Sequence, residues 1–198
     1  MSSRSRLVVV HGHVPADELL RGEVARFHGV PVQVIEIART CPRCGSSDHG
    51  RPRVRATDAL PRPASVSLSR AGRFSVVAVT DAGPVGVDVE APGAADFPGF
   101  DGVALHPEES LDVTTSSTQV WTRKEALLKA CGLGLAVDPA TFRLDSDGVA
   151  AWASSAPAPG PVWWRDLALP DHVGAVAVLP AAGAAPIDLS VARCGSQL

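Results

Sequence analysis

Val85-Gly86-Val87-Asp88-Val89-Glu90 is a run of six residues in strict alternation. Read as a β-strand, it puts three valines on one face and Gly86, Asp88 and Glu90 on the other. Carboxylates at i and i+2 stand side by side about 7 Å apart, near enough for both to reach one hard cation. An edge strand showing two acids to water has the same pattern, so this stretch alone leaves both readings open. A second stretch, Trp121-Thr122-Arg123-Lys124-Glu125-Ala126-Leu127-Leu128-Lys129, has a helical period. Glu125 and Lys129 sit at i and i+4 and share a face, with Trp121 one turn before. An exposed Glu–Lys pair, worth a few tenths of a kcal/mol, accounts for that spacing. It does not account for the lysine. Lys124 and Lys129 are the only lysines among 18 basic residues, and lysine supplies a compact point charge that arginine cannot copy in a tight site. A third carboxylate for a divalent ion, with a lysine for phosphate, explains both features.

Working outward, Leu7 to Val10 reads as a short strand. Asp17 to Phe27 reads as an amphipathic helix, with Leu19, Leu20, Val24 and Phe27 near one face. Val32 to Ile37 reads as another short strand, and Thr40 to Pro63 as a loop with extended pieces. Ser65 to Leu68 and Phe74 to Thr80 are strand-like, separated by Ser69-Arg70-Ala71-Gly72-Arg73 as a turn or helix start. Ala91 to Gly102, with Pro92, Gly93, Pro98 and Gly99, breaks the composition and divides the chain into halves 1–91 and 92–198. Hydroxyl residues at 114–118 cap a helix from Gln119 to Cys131, which Gly132 stops. Thr141 to Leu144 and Val149 to Ala153 form a hairpin around Asp145-Ser146-Asp147-Gly148. Val173 to Leu179 is a last strand, and Pro180 to Leu198 shows little pattern.

With 45% hydrophobic and 20% charged residues, the chain of 198 can bury a core as one domain or two small packed halves. Its apolar runs, such as Val76 to Val79, are too short to cross a bilayer, and Leu7 to Val10 is too short for a signal-peptide core. A soluble, cytoplasmic protein is expected, with no membrane partner. A net charge of −3 argues against nucleic acid. The charge is uneven, however. Arg39, Arg43, Arg51, Arg53, Arg55, Arg62, Arg70 and Arg73 face only Asp48 and Asp58 between residues 39 and 73, a local +6. That excess suits a polyanionic small ligand or an acidic partner; a solvated arginine-rich loop is the plain alternative. Cys41-x-x-Cys44 with His49 nearby admits a zinc site or a redox dithiol. The usual second ligand pair is missing, so a loop without metal is expected. Cys131 and Cys194 read as inert thiols, and none of the six histidines has the pattern of a hydrolase triad.

Taken together, Gly86-Val87-Asp88-Val89-Glu90 and Trp121-x-x-Lys124-Glu125-Ala126-x-x-Lys129 closely resemble the surfactin-type 4′-phosphopantetheinyl transferases. Three further segments agree in order. His49-Gly50-Arg51-Pro52 looks like the family's glycine-basic-proline element, and Ser67-Leu68-Ser69-Arg70-Ala71-Gly72 like its serine-histidine turn. Phe100 to Glu109 looks like its linker helix. The resemblance covers about Leu19 to Leu179. It implies an α+β fold of two similar halves related by a pseudo-twofold, with the active site at their junction. It also implies transfer of the phosphopantetheine arm of coenzyme A to a serine of an apo acyl or peptidyl carrier protein, releasing adenosine 3′,5′-bisphosphate. By the resemblance, Asp88, Glu90 and Glu125 match the Mg²⁺ ligands and Lys129 the lysine at the pyrophosphate, with Lys124 in the same motif. Glu125 or a metal-bound water is then the base. Arg51, Ser69 and Arg70 match positions holding the nucleotide's phosphates.

Two features depart from the family. Arg70 stands where it usually has histidine, and the chain before Leu19-Leu20-Arg21 is shorter than its usual N-terminus. A non-catalytic relative that binds coenzyme A or a carrier protein is therefore the alternative from another class. An unrelated Mg²⁺-dependent phosphohydrolase is a third. Carrier proteins of polyketide, nonribosomal-peptide or fatty-acid synthesis are the expected partners, and a monomer is the expected state.

Overall fold

The computed structural model describes residues 4–41, 44–181 and 183–195, and Arg43 of the basic stretch lies outside them. The chain folds as α+β, in four layers. The first layer is helix α1 (Ala16–His28), lying on a sheet built from β1 (Ser5–Gly12), β4 (Ser65–Ala71), β5 (Phe74–Thr80) and β11 (Ile187–Arg193) in the order β11-β1-β5-β4. Leu19, Leu20, Val24 and Phe27 of α1 bury against Val10, Val66, Val77 and Val79. The alternate residues of the same strands, Leu7, Val9, Phe74, Val76 and Ala78, face away from α1. They meet a second sheet, made of β6 (Val85–Glu90), β9 (Trp163–Leu169) and β10 (His172–Val178) in the order β6-β10-β9. Val85, Val87 and Val89 supply that contact, so the valine face of the alternating run seals the sheet-to-sheet core.

Gly86, Asp88 and Glu90 consequently look outward, toward helix α3 (Ser117–Cys131), the fourth layer. Ala126, Leu127, Leu128 and Ala130 of α3 pack on Ala175 and Ala177 of β10 and on Phe142. Helix α3 starts on a capping box: Ser116 Oγ accepts from the Gln119 amide while the Gln119 side chain accepts from the Ser116 amide. It ends where Gly132 turns left-handed. The remaining elements are β2 (Ile37–Thr40) paired with β3 (Arg51–Val54), the short helix α2 (Phe100–Ala104), and the hairpin β7 (Phe142–Asp145) with β8 (Gly148–Trp152). Among the described residues no helix is long and apolar enough to cross a membrane.

Several expectations from sequence need correction. Val32–Val34 is a 3₁₀ turn, closed by the amides of Val34 and Ile35 on the carbonyls of Pro31 and Val32, and the strand begins only at Ile37. Of the stretch Ser69 to Arg73 read as a turn or helix start, only Gly72 and Arg73 turn. Strand β4 runs through Arg70, which pairs with Ser75, and reverses after Ala71. Arg70 therefore points to the opposite side of the strand from Ser69. The terminal segment holds a strand after all: β11 pairs in parallel with β1, from Ser5 opposite Ile187 to His11 opposite Arg193. Strand β9, to which the sequence reading assigned no element, is the antiparallel partner of β10.

The closest backbone approach made at any glycine among the described residues fixes α3 on β6. A Cβ placed on Gly86 would fall 2.0 Å from the Ala126 carbonyl oxygen and 2.4 Å from the Ala130 amide nitrogen. Both are backbone atoms of the helix that carries Glu125 and Lys129, so no side-chain rotation relieves the overlap. Gly86→Ala is expected to destabilise the fold by about 3 kcal/mol or more, because α3 must lift from the sheet. Urea unfolding of the variant measures this, and an unchanged midpoint would show that the helix is free to shift.

Candidate metal and anion site

Where α3 crosses β6, three acids and one lysine meet. Asp88 is only 3% exposed, and its Oδ1 accepts from Ser69 Oγ at 2.8 Å and from the Lys129 ammonium at 2.5 Å. Lys129 also donates to Ser69 Oγ at 3.1 Å, which closes a triangle between β4, β6 and α3. Ser67, two residues earlier on the same face of β4, accepts from the Val87 amide at 3.0 Å and laces the two sheets together beside the site. The alternation of serines in Ser65-Val66-Ser67-Leu68-Ser69 carries the signal for this face.

Two buried carboxylate oxygens, Asp88 Oδ2 and Glu125 Oε1, have no hydrogen-bond donor. Glu125 is held above the ordinary glutamate range, first by burial and further by the charges of Asp88 and Glu90, with Lys129 opposing. Glu90 is raised for the same reasons, burial first and then Asp88, again against Lys129. One ammonium does not balance three acids. Buried, unpartnered carboxylate oxygens are costly unless a cation takes them up, and hard oxygen donors of this kind suit Mg²⁺. The residues fit such an ion. As they stand, the oxygens of the three carboxylates do not all lie within 4.8 Å of one another, so one ion held by all three would require their side chains to close.

Lys129 is also a wall of the adjoining cleft, of about 290 Å³, lined as well by Arg39, Arg51, Pro52, Ser67 and Leu68. Arg51 is half-buried and held below the usual guanidinium value, by burial first and then by Arg53. Its Nη2 donates to the Val85 carbonyl at 3.4 Å, which ties β3 to the start of β6. Arg39 donates to the Gly50 carbonyl at 3.1 Å and pairs with Asp17. The cleft thus brings two guanidinium groups and one ammonium to an opening beside the carboxylates. Arg39 was counted only as part of the basic stretch, because nothing local marks which of its arginines turn inward. Arg70 lies elsewhere, in a groove with His13, Asp17 and Arg73.

Lys124 does not join the site. It is 1% exposed, and its ammonium donates to the carbonyls of Ala104 at 2.6 Å, Pro139 at 3.0 Å and Phe142 at 2.8 Å, and pairs with Glu109. Burial lowers its pKa and Glu109 opposes the shift. One residue from Glu125, it faces the other way along α3 and bolts the helix to α2 and the base of β7.

Residues 84–173 match the family model described as the 4′-phosphopantetheinyl transferase superfamily. The matched span contains Asp88, Glu90, Glu125 and Lys129, so sequence likeness and site geometry fall on the same residues and support a transferase of phosphopantetheine. No curated protein matches the chain.

Two outcomes follow from this electrostatic arrangement. Lys124→Ala strands the Glu109 carboxylate and three carbonyls, and should cost about 3–5 kcal/mol in denaturant unfolding; a loss below 1 kcal/mol (about that of an exposed pair) would deny it the bolting role. The second concerns pH. A glutamate raised in the folded state adds stability that is full below its unfolded value, near 4.5, and is lost as pH rises through the folded value. Without divalent cations, the melting temperature of the wild type should therefore fall as pH rises from about 4.5 toward neutrality, relative to Glu125→Gln, and the variant should be the more stable at pH 7. Parallel melting curves across that range would remove the strain from Glu125.

Proposed function

We propose that the chain transfers the 4′-phosphopantetheine group of coenzyme A to a serine hydroxyl of an apo acyl or peptidyl carrier protein, with Mg²⁺, as a surfactin-type transferase. The observation that carries this reading is the pair of unpartnered buried oxygens, Asp88 Oδ2 and Glu125 Oε1, beside a lysine that already bridges Asp88 and Ser69. Asp88, Glu90 and Glu125 would hold the Mg²⁺, which when bound neutralises the pyrophosphate of coenzyme A and polarises its phosphorus–oxygen bonds.

The protein's own residues do the positioning. Lys129 swings from Asp88 to a pyrophosphate oxygen and remains within the reach of Ser69. Arg51 and Arg39 take the nucleotide's remaining phosphate in the adjoining cleft, where charge-assisted hydrogen bonds from guanidinium groups are strong. Lys124 keeps α3 seated and touches no substrate. Glu125 accepts the proton of the entering serine as its oxygen attacks the phosphorus of the phosphopantetheine arm. The bond to the bridging oxygen breaks, and adenosine 3′,5′-bisphosphate leaves with that oxygen. Positioning and charge neutralisation are what phosphoryl transfer requires of a protein.

The strand orders support the paired-halves reading. β1-β5-β4 under α1 and β6-β10-β9 under α3 have the same antiparallel order. On that reading the second half opens at β6 instead of at residue 92, and the site forms at the seam. One chain supplies all of its residues, so a monomer suffices, and coenzyme A makes the cytoplasm the place of reaction. The test is mass spectrometry of an apo carrier protein incubated with coenzyme A, Mg²⁺ and the chain. The wild type should add one phosphopantetheine group to serine, whereas Glu125→Gln should lose about a thousandfold or more of the rate at unchanged fold. No mass gain by the wild type on any carrier, or a Glu125→Gln rate within twofold of it, would refute the assignment.

A further inference from the structure

Outside the carboxylate site, one group of ligand-bearing side chains converges. Between β2 and β3 the chain forms a loop that Gly50 closes at its base: a Cβ there would stand 2.6 Å from the Thr40 carbonyl oxygen. Within the loop, the Gly45 amide donates to the Cys41 carbonyl at 2.8 Å and the Cys41 amide to the Ser46 carbonyl at 2.9 Å. This reversal brings Cys41 and Cys44 to the same side and folds His49 back over them. Cys44 Sγ lies 3.3 Å from His49 Nε2. The sulfurs of Cys41 and Cys44 and a ring nitrogen of His49 all lie within 4.8 Å of one another, the one group of three or more potential ligands so gathered among the described residues. Both cysteines are thiols, not halves of a disulfide.

We propose that Cys41, Cys44 and His49 bind a divalent cation of the zinc class, as a second metal site separate from the carboxylates. Two sulfurs and one imidazole nitrogen match the donors Zn²⁺ prefers, at about 2.3 Å for sulfur and 2.0–2.1 Å for nitrogen. Donors around a tetrahedral ion at those lengths stand roughly 3.5–3.8 Å apart, so the observed grouping needs only a small closure. Mg²⁺ requires oxygen ligands and does not compete here. The fourth position falls to water or an external donor. Sequence spacing argued against a metal because a second ligand pair was missing; the fold replaces that pair with the single histidine it carries back. The loop joins the two strands that deliver Arg39 and Arg51 to the cleft, so a bound ion stiffens that wall. This last consequence rests on the cleft's proposed role, while metal binding does not.

The test is a titration of the reduced, metal-stripped full chain with Co²⁺ alone, in excess Mg²⁺ to occupy the carboxylates. One equivalent should bind, with the sulfur-to-cobalt charge-transfer absorption and the visible bands of a tetrahedral site, and Zn²⁺ should bleach both. Cys44→Ser should lose a large part of the charge-transfer band. His49→Ala should keep the band but weaken affinity by about tenfold or more, since even outer ligands cost that much. Glu125→Gln should titrate like the wild type, which separates this site from the transfer reaction. Absence of the charge-transfer band in the reduced wild type would overturn the proposal. So would an unchanged spectrum in Cys44→Ser.

Discussion

Backbone lies against backbone where α3 crosses β6, with Gly86 as the only residue that fits between them. The meeting of Asp88 with Lys129 depends on that approach. A helix normally stands off a sheet by the depth of two side-chain layers, with contact made through apolar groups. Here the missing side chain at Gly86 lets α3 sink, so that Lys129, one turn beyond Glu125, reaches Asp88 and Ser69 with a side chain of ordinary length. The apolar contacts of Leu127 and Leu128, on the underside of the helix, with Ala175, Ala177 and Phe142 then hold the position that glycine permits. Close approach and burial act together: the first sets the distance, the second makes it stable.

The two lysines show why a composition that otherwise uses arginine makes an exception. A guanidinium is broad and planar, with five donors in a fixed fork. Lys124 has to fill a niche bounded by three carbonyls and the Glu109 carboxylate, a donor set that a rotating ammonium satisfies and a fork does not. Lys129 shares one point of charge between a carboxylate and a hydroxyl. Adjacent in sequence motif, they face opposite sides of one helix. One is consumed by structure and the other stays at the mouth of the cleft.

Much of this was legible in the residues. The period of two in Val85 to Glu90 gave the correct faces, because a strand buried on one side by valine must turn its acids to the other. The helix from Gln119 to Cys131 could be read to within two residues of its start from its caps and its stop. What could not be read depends on pairing across the chain. Strand β11 has an alternating run, Ile187-Asp188-Leu189-Ser190-Val191, but a short exposed edge strand acquires its conformation from β1 and has little local signal. Lys124 was grouped with the ligands because its motif adjoins Glu125, and only the three-dimensional position of Glu109 and the carbonyls reverses that. The Cys41–Cys44–His49 group was discounted for want of a second pair, since sequence spacing does not show how sharply the loop closes on Gly50.

Stability and chemistry pull against each other at the seam. Asp88 and Glu125 keep buried oxygens without donors, and Glu90 adds a third acid to a site with a single ammonium. A sequence selected for stability alone would place a glutamine or a leucine at residue 125, where helix propensity and burial both permit it. Retaining the acid makes the free protein less stable near neutrality than it could be, and that cost is recovered only when positive charge enters the site. The four-layer packing around it is what tolerates such a defect: Leu127 and Leu128, packed with Ala175 and Ala177 of β10, and the bolt at Lys124 hold α3 around the strained residue. A binding surface without chemistry would need the arginines of the cleft but not the unpaired carboxylates. Of the five buried side-chain atoms without a partner among the described residues, two are carboxylate oxygens of this one site, and that is the physical argument for a cation there.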